Sequence, residues 1–232
     1  LAEGAHSALR KLCYIEFHTL ASPQSAIIAN SEVASGHHHH AFERFTEHGP
    51  MALLPMSNNR YSLVWCMEPE QIEHTMALED DAFLAALQKA FGYCGGSFSK
   101  VGMRASYPLV YGKAESLSSH RTVLIGNAGH AIHPIAGQGF NLGLRDVQLL
   151  CDMANRSDLG DFAFTRYYSQ TRSKDITTVM TLTDSLVRLF SNSSRLLALG
   201  RSIGLFSMDL FSSLKTPLAK QLMGQVKQGK RI

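Results

Sequence analysis

The sequence predicts an α/β fold of the α+β kind: an antiparallel sheet spliced into an α/β domain, with helices after it. Three stretches lead to that reading. An apolar, β-branched run at residues 122–125 stops at Gly126, passes through a loop holding His130, His133 and Pro134, and enters a helix behind Gly137, Gly139 and Gly143. Upstream, strand-like runs at residues 41–45, 51–56 and 61–67 are joined by Glu47-His48-Gly49-Pro50 and Ser57-Asn58-Asn59, which have turn chemistry. From Gly139 onward the chain reads as mainly helical.

With 232 residues, 45% hydrophobic and 18% charged, the chain has enough apolar material for one or two cores and too much for a disordered segment. A net charge of +3, with Lys and Arg scattered until residues 215–231, argues against nucleic acid as a partner. The basic, partly apolar tail suits an anionic membrane surface better. Cys13, Cys66, Cys94 and Cys151 are far apart and form no CxxC pair, so reduced thiols in a cytoplasmic protein are expected. No run of about 18 apolar residues would span a bilayer, and no signal peptide is recognisable. The chain opens on Leu1, in what reads as the end of a strand, and an N-terminal truncation is expected.

Residues 1–12 read as a strand end, a turn at Glu3-Gly4 and a helix capped near His6-Ser7, with Ser7 and Arg10 three apart on one face. Residues 26–34 form a strand. His37, His38, His39 and His40 follow; consecutive side chains in a strand point to opposite faces, so a solvated loop or strand edge explains them better than metal. In the meander, alternation puts Phe42, Arg44 and Thr46 on one face and Glu43 and Phe45 on the other. Residues 80–91 are a helix with Phe83, Leu84, Leu87 and Phe91 at helical spacing and Gly92 as its stop. Residues 98–109 are extended and return the chain to a parallel-type strand at 122–125. Further helices are expected at 140–154, burying Leu142, Val147, Leu150 and Cys151, and at 161–192, 196–211 and 217–226.

The run GQGFNLG is a poor pyrophosphate fingerprint. Its last gap is three residues rather than two, and about eleven residues separate the strand end from Gly137, where a tight turn is required. His130 and His133 sit in a loop with no carboxylate or cysteine close in sequence, which disfavours a metal site. No GxSxG elbow is present. The glycines and the helix start instead suit an anionic or electron-rich group brought close to the backbone.

The stretch VLIGNAGHAIHPIAGQGFNLGLRD resembles the second flavin-binding motif of the class A FAD-dependent aromatic hydroxylases, usually written GDxxHxxxPxxGxGxN. AEGAHSALRK resembles the DG motif of that family, and AFERFTEHGPMALLP and TDSLVRLF are similar to its ubiquinone-biosynthesis hydroxylases, of the 2-octaprenyl-6-methoxyphenol hydroxylase type. The resemblance runs over nearly the whole chain. It implies a partial FAD-binding domain at residues 1–20 and 101–155, an antiparallel β-sheet substrate domain at 21–100 and a C-terminal helical region at 156–232.

The resemblance also implies roles. Glu3, Gly4, Arg10, Gly126, Asn127, Pro134, Gly137, Gln138, Gly139, Phe140 and Asn141 would bind the cofactor, with Pro134 and His130 as catalytic residues and no metal. Asn127 stands where the family has Asp, which keeps a hydrogen-bonding side chain without its charge, and Glu3 replaces the Asp of the DG motif. Family members begin with a βαβ unit whose GxGxxG holds the FAD pyrophosphate, and that unit is expected upstream of Leu1. The implied reaction is hydroxylation of a polyprenylated phenol: NAD(P)H reduces FAD, O2 adds to form a flavin C4a-hydroperoxide, and its distal oxygen passes to the ring. Partner proteins of a ubiquinone-making complex and peripheral contact with the inner face of a membrane are implied as well. A second reading is a catalytically inactive fragment that binds an apolar ligand or a partner.

Overall fold

Helix α1 (Ala8–Leu12) and strand β1 (Phe17–Thr19) precede β2 (Ser25–Val33) in a computed structural model that describes residues 1–20, 24–134, 137–154, 158–190, 195–211, 213, 215–216 and 219–220. Strands β3 (Phe42–Thr46), β4 (Gly49–Met56) and β5 (Arg60–Met67) follow, then helices α2 (Pro69–Met76) and α3 (Asp80–Phe91). Next come β6 (Phe98–Val101), β7 (Ala105–Pro108), β8 (Gly112–Ala114), β9 (Ser118–Ser119) and β10 (Thr122–Val123). A 3-10 turn (Gly126–Ala128), β11 (His130–Ala131) and helices α4 (Gln138–Met153), α5 (Phe162–Phe190) and α6 (Arg195–Leu210) complete the order. The chain divides into two compact units. One is Leu1–Thr19, Gly112–Thr183 and Ser193–Ile232; the other is Leu20–Tyr111 and Asp184–Asn192.

The second unit is a six-stranded antiparallel sheet in the order β3-β4-β5-β2-β6, with β7 also on β2. Strand β2 pairs β5 on one side and β6 and β7 in succession on the other. That pairing holds residues 98–108 in the sheet, so the unit runs to Tyr111 and not to the expected boundary at residue 100. Period-2 alternation sends Ile27, Ala29, Met51, Leu53, Leu63 and Trp65 to one face, where Phe83, Leu87 and Phe91 of α3 and Ile72 of α2 complete the core. Phe42 packs edge-on to Phe91 and the Arg44 guanidinium bonds the Phe91 carbonyl, while Phe45 meets Phe190 on the opposite side, as the alternation requires. Gly49 (φ +148°) is needed at the β3–β4 turn, because a Cβ there would lie 2.6 Å from the Cys66 carbonyl oxygen. Helix α2 was not anticipated from sequence; Pro69 sits in its first turn, where the missing N–H costs nothing.

The four-histidine run is a turn, with left-handed backbone at His38 and His39. His37 departs from the solvated expectation: it is buried, its Nε2 lies 2.7 Å from the Met56 carbonyl, and its Nδ1 accepts the His39 N–H.

In the first unit, β1, β8 and β11 form a small antiparallel sheet and β9 and β10 a hairpin. The expected strand at 122–125 is thus two residues long and antiparallel to β9. Its continuation does bond in parallel fashion: the Leu1 nitrogen donates to the Val123 carbonyl (2.7 Å) and the Ile125 N–H to the Leu1 carbonyl (2.9 Å). Helix α4 buries Gln138, Leu142, Asp146, Leu149 and Met153, whereas Val147 and Cys151 are exposed. Of the expected stripe only Leu142 is fully buried, because Asp146 has its partners on the inner side. The more polar first half of α5 likewise supplies most of its buried face, through Phe164, Thr165, Tyr168, Arg172 and Ile176. Most of the expected helix at 217–226 lies outside the described residues.

Candidate functional site

The turn after β10 is held from both ends. Gly126 turns the chain at φ +58°, and its N–H donates to Asp146 Oδ2 at 2.8 Å. At the other end the Ala128 carbonyl accepts from Arg10 Nη1 at 2.8 Å, and Arg10 Nη2 reaches the Ala5 carbonyl at the same distance. Arg10 is buried against the Phe17 ring. Between these anchors Asn127 projects to solvent. Gly143 of α4 lies alongside, where a Cβ would make ordinary van der Waals contact with the Gly126 Cα at 3.5 Å.

Arg10 is positioned by the cap of α1. Ser7 Oγ accepts the Arg10 N–H (3.0 Å) and donates to Glu3 Oε2 (2.7 Å), which also accepts the Leu9 N–H (2.9 Å). These two hydrogen bonds, Ser7 first, hold the Glu3 carboxyl below the usual range. The Glu3 carboxylate thereby closes the start of α1. Gly4 (φ +88°) has open space where a Cβ would be.

The start of α4 faces outward. Its N-cap, Gly137, is left-handed (φ 59°, ψ 28°), offers no side-chain cap, and donates its own N–H to the Pro134 carbonyl. The first turn carries no acidic residue, so no side chain of that turn offsets the positive end of the helix dipole. Phe140 is 78% exposed and Asn141 is exposed, Pro134 and Gly139 are half-buried, and Gln138 is buried.

Beneath this surface is a buried ionic cluster that the sequence reading did not single out. Asp146 Oδ1 accepts from Arg172 Nε (2.6 Å), and Oδ2 accepts the Gly126 N–H and lies 2.7 Å from His130 Nε2. Arg172 Nη1 reaches Asp175 (2.5 Å), Nη2 reaches the Leu142 carbonyl (3.2 Å), and Arg145 pairs with Asp175. Burial alone would raise the Asp146 pKa, yet the bonds from His130, Gly126 and Arg172 outweigh it and hold the carboxyl below the usual range. His130, expected to be catalytic, has no exposed surface, and its contact is with Asp146. His133 is also buried, and desolvation pushes it down to about 4, so it is neutral near pH 7. Tyr168 donates to the Leu124 carbonyl (2.8 Å) and ties α5 to the strand. One sequence signal was available: Asp146 and Arg172, opposite in charge, occupy apolar-stripe positions of their helices, four residues from Leu142 and Tyr168 respectively. Among the described residues no three His, Cys, Asp or Glu side chains are grouped to hold a metal.

Fold and site together define a domain of the flavoprotein class, and residues 2–173 match the family described as FAD binding domain. The chain belongs to that family. Ubiquinone hydroxylase UbiL of Rhodospirillum rubrum is 38% identical over 98% of the chain and 54% of its own length. The mitochondrial ubiquinone biosynthesis monooxygenase COQ6 of Caenorhabditis elegans is 29% identical over 95% of the chain and 58% of its own length. The chain thus spans about half the length of the curated relatives it matches. Among solved structures, the Diels-Alderase PyrE3 superposes with a TM-score of 0.74 at 17% identity, over 99% of the chain and 50% of its own. The p-nitrophenol 4-monooxygenase PnpA of Pseudomonas putida gives 0.72 at 16%, over 100% and 60%. Likenesses at that identity show the shared fold.

The residues fit FAD. The isoalloxazine pyrimidine edge is electron-rich and gains negative charge on reduction, which suits an uncapped helix start without carboxylates. Gly126 and Gly137 leave open the space where a Cβ would stand, and the Asn127 and Asn141 amides are available to hydroxyl and carbonyl groups.

Proposed function

We propose that the chain forms the isoalloxazine and ribityl side of an FAD-dependent hydroxylase that acts on a polyprenylated phenol in ubiquinone biosynthesis, with NAD(P)H as reductant and O2 as oxidant. The observation that carries the reading is the pairing of the outward Gly126–Ala128 turn with the bare α4 N-terminus, within the residues that match the FAD family. Bound flavin supplies the oxygen-transfer chemistry. In this reading Asn127 bonds the ribityl hydroxyls, Pro134 borders the ring, and the backbone from Gly137 to Asn141, including Gln138, Gly139 and Phe140, faces the pyrimidine edge. Glu3, Gly4 and Arg10 serve by shaping the turn from below.

The substrate reading is supported by the sheet. On the face opposite the core, the register aligns Glu43, Ala52, Val64, Ile28 and Ala105 in one row, of which the four apolar members are half-buried and suited to border an aromatic ring and prenyl units. Leu205, Phe206, Leu210 and Phe211 are exposed along and just beyond α6, which supports peripheral contact with a lipid surface; among the described residues no helix is long and apolar enough to cross a membrane. Partner proteins of a ubiquinone-making complex belong to the same proposal.

The reading is tested by supplying FAD, NAD(P)H and a short-chain prenylated phenol under 18O2. Incorporation of one labelled oxygen into the ring is expected from the whole enzyme. Because the chain covers about half of UbiL, a second reading is a fragment that binds apolar ligands or partners without turnover. Tight prenyl-phenol binding with no flavin bound and no label incorporated would select it.

A further inference from the structure

Asp146 divides its two oxygens between different tasks. Oδ1 takes the Arg172 guanidinium, and Oδ2 takes the Gly126 N–H and the His130 ring. Arg145 lies on the same helix but pairs with Asp175, so the guanidinium on Asp146 is that of Arg172, with the His130 ring on the other oxygen. All three nitrogens of Arg172 are engaged, by Asp146, Asp175 and the Leu142 carbonyl, which fixes the guanidinium plane and with it the direction of the carboxylate. Apolar side chains of similar volume would join α4 to α5 at least as well as buried charges do. What an apolar pair could not do is hold an amide and an imidazole on a connecting loop.

We propose that Arg172 is a positioning residue for the cofactor turn: by orienting the Asp146 carboxylate it sets the Gly126 amide and the His130 ring, and so the direction in which Asn127 is presented. The proposal deepens the flavin-site reading and rests on it for the purpose of the turn. The geometric part stands on the loop alone. Without Arg172 the buried carboxylate loses the contact that fixes its plane, so Oδ2 is no longer held toward both the Gly126 amide and the His130 ring.

The test needs no flavin. Amide hydrogen exchange is followed by NMR in the labelled chain, with the amides of β4 and β5 in the other unit as an internal reference. In Arg172→Met, exchange at Gly126 is expected to accelerate about tenfold or more while the reference amides change less than about twofold. Arg172→Lys restores part of the protection because it returns the charge. Asp146→Asn matches Arg172→Met, and the two together go no further than either alone. An unchanged Gly126 in Arg172→Met, or uniform acceleration across α4, α5 and β8 with no rescue by lysine, would overturn the proposal in favour of plain helix packing. Should Arg172→Met not fold, Arg172→Lys and Asp146→Asn carry the same comparison, and failure of all three to fold counts against positioning. Because this readout is independent of the cofactor, a chain that binds no flavin leaves it standing, and an unprotected Gly126 leaves the flavin reading standing.

Discussion

The two units are stabilised by different interactions. In the sheet unit, Met51, Leu53, Leu63, Trp65, Phe83, Leu87 and Phe91 form a continuous apolar core. In the unit that carries the turn, an interior that includes Leu124, Leu142, Phe164, Tyr168 and Ile176 also holds Arg10, His130, His133, Asp146 and Arg172, and the Asp146 carboxylate reaches outside α4, to Gly126, His130 and Arg172. Apolar burial is tolerant of detail, whereas a buried charge requires particular partners at particular distances. The unit that must hold a cofactor to a fixed geometry is the one built on the less forgiving interaction.

Crossed substitutions should break this comparison if it is wrong. Arg172→Met strands a buried carboxylate and is expected to cost about 3–5 kcal/mol in the unit that holds it. Phe83→Ala empties a core site at a cost of about 3–5 kcal/mol in the sheet unit. Trp65 is the sole tryptophan and is buried in the sheet core, so its fluorescence in urea reports that unit. The tryptophan transition should move with Phe83→Ala and stay near its place with Arg172→Met. Equal movement in both variants would mean that the units share one cooperative core.

A smaller effect sharpens it through pH. Burial holds His133 down to about 4, so the unfolded chain takes up a proton near pH 6.5 that the folded chain refuses. Stability from the neutral ring is fully present above about pH 6.5 and is lost as pH falls toward 4, by about 3 kcal/mol in all. Asp146, also depressed, adds its own loss below the ordinary carboxylate range. Stability of the turn unit, followed by hydrogen exchange, should therefore fall as pH drops across that interval, and His133→Gln should flatten the upper part of the curve. A profile that His133→Gln leaves unchanged would assign the pH dependence to other groups.

How much was legible in the sequence differs between the units for the same physical reason. The bounds of Asp80–Phe91 match to the residue, three of its four expected apolar positions are buried with Leu84 half-buried, and β4 and β5 lie close to expectation, because an apolar core leaves its period in the chain. In α4 the reading followed apolarity to Val147 and Cys151 and passed over Asp146. The partners of Asp146 lie 16 to 26 residues away in sequence, and no local period records them. The glycines at the start of α4 are readable from the chain because backbone approach and helix polarity are local properties, whereas Asn127 is marked only by its position in the motif that the sequence resembles. The buried supports of the turn, Asp146 and Arg172, are not readable in this way, and α2 was passed over because a short segment opening with proline reads as a break.

The central claim, that the turn and the α4 start form the ring and ribityl side of a flavin site, is tested most directly by fluorescence titration with riboflavin, which carries only those two parts. Saturable quenching is expected, together with about tenfold weaker binding in Asn127→Ala, the loss of roughly one hydrogen bond. Binding of neither riboflavin nor FAD, or riboflavin binding that Asn127→Ala leaves untouched, would contradict the account.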